Sequence, residues 1–381
     1  MEESSQCLLG DIGGTNIRFS LHPSSQLVGG VKSAPTFHAR YRTSDFEHLR
    51  AAILRFVQDK PRELRIDSCA LSVCGPVSNG KAICLGPSMG AAGWILEEAD
   101  LAAALGLDDG ARVRMLNDFV AVGLAVGGTD PCDAAASLHT IHAGAGPNRT
   151  GTVAVLGPGT GLGSCFGVRL PGIGLEIFPS EGGESDFVAR TPDEWALRTY
   201  LSSSLGVTHV KVEHVVSGLA ISRIYAFLRH ASESRGAKRQ RTSTAADASA
   251  AAVEAAVKAA ADPSAVIAAH STPGSADADP HCVQAMDMFI DALGAEAANL
   301  ALRFQAFGGV FIAGGVAAKL APRLAGVGKE RLSSAYLGKG RSVDAYSACP
   351  LYVLAVEGDD LAMGGAWEFA RSDKCGFRGN T

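Results

Sequence analysis

No apolar run in the chain reaches the ~18 consecutive residues that a membrane-spanning helix needs. The nine cysteines are odd in number and scattered, and no Cys-x-x-Cys pair occurs. That pattern fits free thiols in a reducing compartment, several of them in apolar strand-like runs at Cys69, Cys74 and Cys84. Basic excess is also missing. A net charge of -5 and a pI of about 6.1 argue against nucleic acid as a partner. The acidic, polar opening Met1–Gln6 carries no secretory or Arg-rich transit signal, and the end Gly379-Asn380-Thr381 is not a peroxisomal tail. A cytoplasmic protein without membrane partners is therefore expected. Asn148-Arg149-Thr150 is then a chance match to a glycosylation sequon. Two common nucleotide signatures are absent as well. Gly326-Val327-Gly328-Lys329 runs on into Glu330 and Gly338-Lys339 into Gly340, so no P-loop forms, and no Gly-x-Gly-x-x-Gly opens a helix.

What is present is a repeated glycine grammar. Leu8-Leu9-Gly10-Asp11-Ile12-Gly13-Gly14-Thr15-Asn16-Ile17-Arg18-Phe19-Ser20 places two apolar runs around an acidic, glycine-rich turn. It predicts a β-hairpin with a polar tip. By itself this reads as an ordinary tight turn. The glycines nevertheless let the backbone approach a bulky anion, and N–H groups and the Thr15 hydroxyl can donate to phosphate oxygens. Asp11 would repel bare phosphate but suits phosphate carrying Mg²⁺. About 145 residues later, Val153 to Phe166 repeats the grammar around Gly157-Pro158-Gly159-Thr160-Gly161-Leu162-Gly163. Two such hairpins, one per domain, can hold the phosphates of one nucleotide. A third element, Gly308 to Val316, is a strand ending in Gly314-Gly315 before a helix at 317–324, where an adenine ring can lie flat on the backbone.

The length of 381 residues allows two domains with separate cores. A strand ending near Tyr41 precedes Ser44-Asp45-Phe46-Glu47, which has capping-box form and predicts a helix start at Ser44. Leu49, Ile53, Phe56 and Val57 form its apolar stripe. Strands are expected at 70–73, 81–85 and 112–116, and a helix at 96–105. Hairpin strands followed by alternating helices and strands imply α/β domains with a mixed sheet. Asn117-Asp118 stands at a strand's carboxyl end and opens a helix, where α/β folds place chemistry. Asp118 either caps that helix or accepts a proton from an attacking hydroxyl.

Taken together, Asp11-Ile-Gly-Gly-Thr-Asn-Ile-Arg18, Leu116-Asn-Asp-Phe119, Gly157–Gly163, Glu181-Gly-Gly183, Glu213-His-Val-Val-Ser-Gly218 and Phe307–Gly315 resemble the bacterial-type ATP-dependent glucokinase family. That family belongs to the actin-like sugar-kinase and Hsp70 superfamily. The resemblance implies two actin-like (ribonuclease H-like) α/β domains with a cleft between them. The expected division is 1–117 plus 358–381 as the small domain and 118–357 as the large one. It implies that Asp11, Gly13, Gly14, Thr15 and Asn16 form the first phosphate loop, with Asp11 near Mg²⁺ through water. Gly159, Thr160 and Gly161 match the second phosphate loop, and Gly314 and Gly315 the adenosine segment. Asn117 and Asp118 match the sugar-binding pair, with Asp118 as general base, and Glu181 and Glu213 the carboxylates that hold glucose hydroxyls. Glucose and ATP are the implied partners, and family members are often homodimers.

Two positions depart from the family pattern. Glu184 stands where the family carries a sugar-contacting His after Glu-Gly-Gly. Gly86-Pro87-Ser88-Met89-Gly90 replaces a Thr-Asn before Trp94, leaving Ser88 as the candidate for that contact. Both departures bear on which sugar is used. A kinase of another hexose or amino sugar, a non-catalytic sugar sensor and an actin-like ATPase therefore stand as alternatives. The Ala-, Ser-, Asp- and Thr-rich stretch 231–280 is expected to be a low-complexity surface insertion, with the basic cluster Lys238-Arg239-Gln240-Arg241 near its start and a thin-faced helix at 251–261.

Overall fold

The computed structural model describes residues 4–29, 34–86, 88–107, 112–127, 137–146, 148, 150–236, 245–356 and 358–372. The basic cluster at 238–241, Arg149 of the sequon and the chain end lie outside the described residues. In chain order the elements begin with β1 (Ser4–Ile12), β2 (Asn16–Pro23), α1 (Ser24–Gly29), β3 (Phe37–Arg42), α2 (Leu49–Asp59) and β4 (Leu64–Val73). There follow β5 (Val77–Ser78), β6 (Lys81–Cys84), β7 (Trp94–Glu97), α3 (Glu98–Leu105), β8 (Val113–Asn117) and α4 (Asp118–Gly127). The middle of the chain holds β9 (Leu138–His142), β10 (Val153–Pro158), β11 (Leu162–Leu170), β12 (Gly174–Ser180), α5 (Pro192–Leu205) and α6 (Gly218–Gly236). The remainder is α7 (Ala245–Ala259), α8 (Pro263–Ala269), α9 (Pro280–Phe304), β13 (Gly309–Ile312), α10 (Gly315–Ala325), α11 (Lys329–Leu337), β14 (Leu351–Leu354) and α12 (Gly358–Ala370).

Two compact units result: one of Met1–Asp130, Ile173–Pro179 and Gly358–Thr381, the other of Pro131–Gly172 and Ser180–Glu357. This division differs from the expected one at 117/118. Helix α4, with Asp118, belongs to the first unit because it packs against α12 so closely that a Cβ on Gly365 would lie 1.8 Å from the Ala121 carbonyl oxygen.

In the first unit the sheet order is β3-β2-β1-β4-β8, mixed as expected. β1 and β2 form the predicted hairpin, with Asp11 opposite Arg18. β1, β4 and β8 run parallel. Side chains alternate across β1. Leu8 and Ile12 join Phe19, Ile53 and Phe56 on one face. Cys7 and Leu9 meet Trp367 on the other. The helix expected from Ser44 begins instead at Leu49, with His48 Nδ1 accepting from the Ala51 N–H at 3.1 Å. The reason is local. Thr43 N–H donates to the Thr15 carbonyl at 3.0 Å and Thr43 Oγ1 to the Gly13 carbonyl at 2.8 Å, which holds 43–45 in a single 3₁₀ turn against the hairpin tip. Leu96, expected in a helix, lies in β7 opposite Ala82, so that helix starts at Glu98.

In the second unit β10 pairs antiparallel with β11 and parallel with β13, and β13 pairs parallel with β14. The first unit's β1 has the same relations to β2 and β4, so the repeated glycine grammar is a repeated topology. Within the 231–280 stretch, residues 245–280 correct the expectation of a surface insertion. Val253, Val257 and Ile267 are buried in the unit's main core, Arg229 of α6 pairs with Glu254 of α7, and Ser264 Oγ donates to the Gly218 carbonyl at 2.6 Å. Asp262 and Asp279 cap α8 and α9. The apolar face is thin but spaced at i, i+4, which suffices once a core is there to receive it. None of the seven cysteines among the described residues forms a disulfide, and Cys69 and Cys84 are buried and Cys74 half-buried.

Candidate active site

Parallel pairing fixes what stands at the carboxyl ends of β1, β4 and β8. Asp11 is level with Ser72, and Val73 with Asn117, so Asp11 and Asn117-Asp118 share one edge of the sheet. Asn117 is buried and largely committed. Its Nδ2 donates to the Gly75 carbonyl at 3.0 Å, and its Oδ1 accepts from the N–H groups of Phe119 at 2.9 Å and Val120 at 3.2 Å. The helix cap that could have been Asp118's role is thus supplied by Asn117, which keeps one amide hydrogen for a ligand. Asp118 is half-buried, and its Oδ1 accepts from the Phe119 N–H at 2.9 Å.

Asp11 is half-buried beside these groups. Burial first, and then the negative charge of Asp118, push its carboxyl up to about 7, against the pull of Arg18 and Ser72. A carboxylate such as Asp11, held beside the like charge of Asp118, is favoured in its ionised form by a nearby divalent cation. Among the described residues no three His, Cys, Asp or Glu side chains gather as a metal cage. This donor set suits Mg²⁺ held by one carboxylate, phosphate oxygens and water. The hairpin tip closes through the Gly13 N–H and Asn16 carbonyl at 2.9 Å, and Thr15 is exposed. The turn carrying Ser88 lies against this tip. A Cβ on Gly86 would meet the Gly14 Cα at 2.6 Å, and the Met89 N–H bonds the Gly86 carbonyl at 3.0 Å. Ser88 itself is half-buried, and Pro87 lies outside the described residues.

The second unit assembles the other candidates. The Gly159 N–H closes the turn onto the Gly161 carbonyl at 2.9 Å, and the Gly218 N–H holds the Gly159 carbonyl at 2.8 Å. Thr160 is exposed, and a side chain on Gly159 would meet nothing within 4 Å, so the backbone is open to a ligand. Gly314, at φ +93°, caps α10 in a conformation that favours glycine. A Cβ there would lie 3.2 Å from the Pro158 carbonyl, which brings Gly314-Gly315 and the Gly157–Gly163 turn together. Gly315 leads the helix with open space beside it.

Glu213 touches this turn, since a Cβ on Gly161 would lie 2.7 Å from its Oε2. Glu181, Glu184 and Glu213 share one region. Partial desolvation, then Glu184 and Glu213, raise the Glu181 carboxyl above its usual range. Glu184 points to Lys211, with Nζ 2.7 Å from Oε2, and Lys211 Nζ is also 3.7 Å from Glu213 Oε1. Sequence reasoning passed over Lys211, although it stands two residues before Glu213, because a lysine there reads as solvated. It also missed Thr43, whose tie to the Gly13–Thr15 hairpin tip has no local sequence signal.

The Glucokinase family model matches residues 8–373. A glucokinase of Synechocystis sp. is 31% identical over 365 residues, covering 91% of this chain and 93% of its own. A glucokinase from Balamuthia mandrillaris, solved in complex with glucose, shares the fold at a TM-score of 0.77 with 20% identity, over 97% of this chain and 94% of that one. A ROK family glucokinase from Streptomyces griseus, solved with glucose and AMPPNP, shares it at 0.55 with 16% identity, covering 96% and 99%. Matched along nearly its whole described length, with the repeated hairpin topology in both units, the chain belongs to the glucokinase family.

Proposed function

We propose that the protein transfers the γ-phosphoryl group of MgATP to the 6-hydroxyl of D-glucose, with Asp118 as general base. The observation that carries this reading is the position of Asp118. It stands at the carboxyl edge of the first unit's sheet, level with the phosphate hairpin, while its neighbour Asn117 takes over the capping of α4. With the cap supplied by Asn117, the Asp118 carboxylate orients the sugar hydroxymethyl group and accepts its proton during in-line attack on the γ-phosphorus. Backbone N–H groups of Gly13–Asn16 and Gly159–Gly161, with the exposed Thr15 and Thr160 hydroxyls, donate to phosphate oxygens, which removes the reorganisation cost that water would impose. Gly314 and Gly315 receive the adenosine. Mg²⁺ when bound neutralises phosphate charge, and Asp11 is the residue to hold it, through water. Asn117, Glu181 and Glu213 accept from or donate to the remaining sugar hydroxyls, because a carboxylate can receive two adjacent hydroxyls at once.

Support for ATP and glucose also comes from the family and from the ligands named in the two solved glucokinases. A cytoplasmic location belongs to the same reading through the scattered cysteines, and a homodimer through the resemblance. No helix of the described residues is long and apolar enough to cross a membrane. A hexose panel tests the acceptor atom. Glucose should turn over, and 6-deoxyglucose, lacking the attacking oxygen, should inhibit competitively with glucose and give no product. Turnover of 6-deoxyglucose would place the chemistry at another hydroxyl.

A further inference from the structure

The acidic edge of the second unit holds a cation that the phosphoryl-transfer scheme does not use. Residues 210–212 run antiparallel to 185–187. The Phe187 N–H donates to the Val210 carbonyl at 2.8 Å, the Val212 N–H to the Ser185 carbonyl at 2.8 Å, and Asp186 faces Lys211 in the bridge. This pairing sets Lys211 beside the 3₁₀ turn Gly182–Glu184. The turn is itself fixed, because a Cβ on Gly183 would strike the Leu162 carbonyl at 2.1 Å. Lys211 then reaches Glu184 Oε1 at 2.8 Å and Oε2 at 2.7 Å, with Glu213 Oε1 3.7 Å away. A lysine ammonium is a compact point charge that serves two acids at once. Glu213 in turn lies on Gly161 of the second phosphate turn, so any shift of its carboxylate is felt there.

We infer that Lys211 is a positioning residue for the sugar: its ammonium joins Glu184 to Glu213, drawing Glu184 aside and fixing the Glu213 carboxylate for the sugar hydroxyls. This rests on the glucokinase reading above and deepens it. It also accounts for Glu184, the acid standing where the resembling family has histidine. An added carboxylate beside Glu181 and Glu213 would be destabilising by like charge, and Lys211 supplies the opposite charge that makes it tolerable. The surrounding charges are Glu181, Glu184, Asp186, His209, Glu213, His214 and Arg223. Asp186 faces His209 at 3.4 Å. His214 Nδ1 accepts from the Lys211 backbone N–H at 3.2 Å. Glu184 above all holds the Lys211 ammonium proton more firmly than usual, so the cation persists through the working pH range. With the ammonium gone, the three glutamates are left to repel one another, and Glu181, already raised by burial and by Glu184 and Glu213, holds its proton to still higher pH.

The test compares Lys211→Met, Lys211→Arg and the double variant Lys211→Met/Glu184→Gln by glucose-dependent ADP release at saturating MgATP. Lys211→Gln serves where Lys211→Met fails to fold. Lys211→Met should raise KM for glucose about ten- to hundredfold with kcat changed far less, the size expected for loss of a charge-assisted contact. The acid limb of its kcat/KM profile should move to higher pH. Lys211→Arg should stay close to wild type, and Glu184→Gln in the Lys211→Met background should recover most of the lost affinity by removing the unpaired acid. A Lys211→Met enzyme with wild-type KM and pH profile would overturn the inference while leaving the glucokinase reading intact, as would failure of Glu184→Gln to rescue. Wild-type protein that ignores glucose would instead overturn the reading beneath it, and this inference with it.

Discussion

Asp118→Ala is expected to lower kcat by at least about 10²–10⁴-fold while glucose still binds. The carboxylate is the proton acceptor in the proposed transfer, and alanine leaves the attacking hydroxyl neither oriented nor deprotonated. Loss of fold should not confuse the result. Asn117 Oδ1 accepts from both the Phe119 and Val120 N–H groups, so α4 keeps its cap. What α4 loses is one acid at its N-terminus, worth about 0.3–1 kcal/mol. Calorimetric titration with glucose and a steady-state assay on the same preparation separate binding from turnover. Near-normal turnover by the alanine variant would remove Asp118 from the mechanism.

Gly365→Ala should damage both stability and activity. The added methyl would lie 1.8 Å from the Ala121 carbonyl oxygen, 2.2 Å from its carbon and 2.6 Å from its Cα. These are backbone atoms of α4, so no side chain can rotate out of the way. Overpacking against yielding side chains costs about 1–3 kcal/mol, and a helix-on-helix backbone clash should sit at or above the top of that range. At about 2–4 °C per kcal/mol for a domain of this size, the melting temperature should fall by roughly 6–12 °C. Because Ala121 lies one turn beyond Asp118, α4 must shift with its base. kcat measured well below the melting temperature should drop as well. An unchanged melting curve would show that α12 does not press on α4.

These two positions also show what the sequence did and did not disclose. The hairpins around Asp11 and Gly157–Gly163 were legible because a tight turn needs glycine between two apolar strands, a local demand written in consecutive residues. The place of α4 was not legible. Its partner, Gly365 in α12, lies far along the chain, so the expected boundary fell at 117/118. The capping box at Ser44 was locally sound, yet Thr43 is held by the hairpin tip and the helix waits until Leu49. Val253, Val257 and Ile267 looked too sparse among alanines to matter, but α6 and α9 provide the core they enter. Lys211 was silent for a related reason. A lysine acquires meaning only when a bridge places it beside an acid 27 residues away.

Glucose-dependent ADP release from MgATP by the intact chain tests the central claim most directly. The account predicts release that is slow without glucose, rises steeply with it, and yields glucose 6-phosphate in equal amount. Release at the same rate with and without glucose would mark an ATPase, and no release under either condition a sugar sensor; either result would contradict the account.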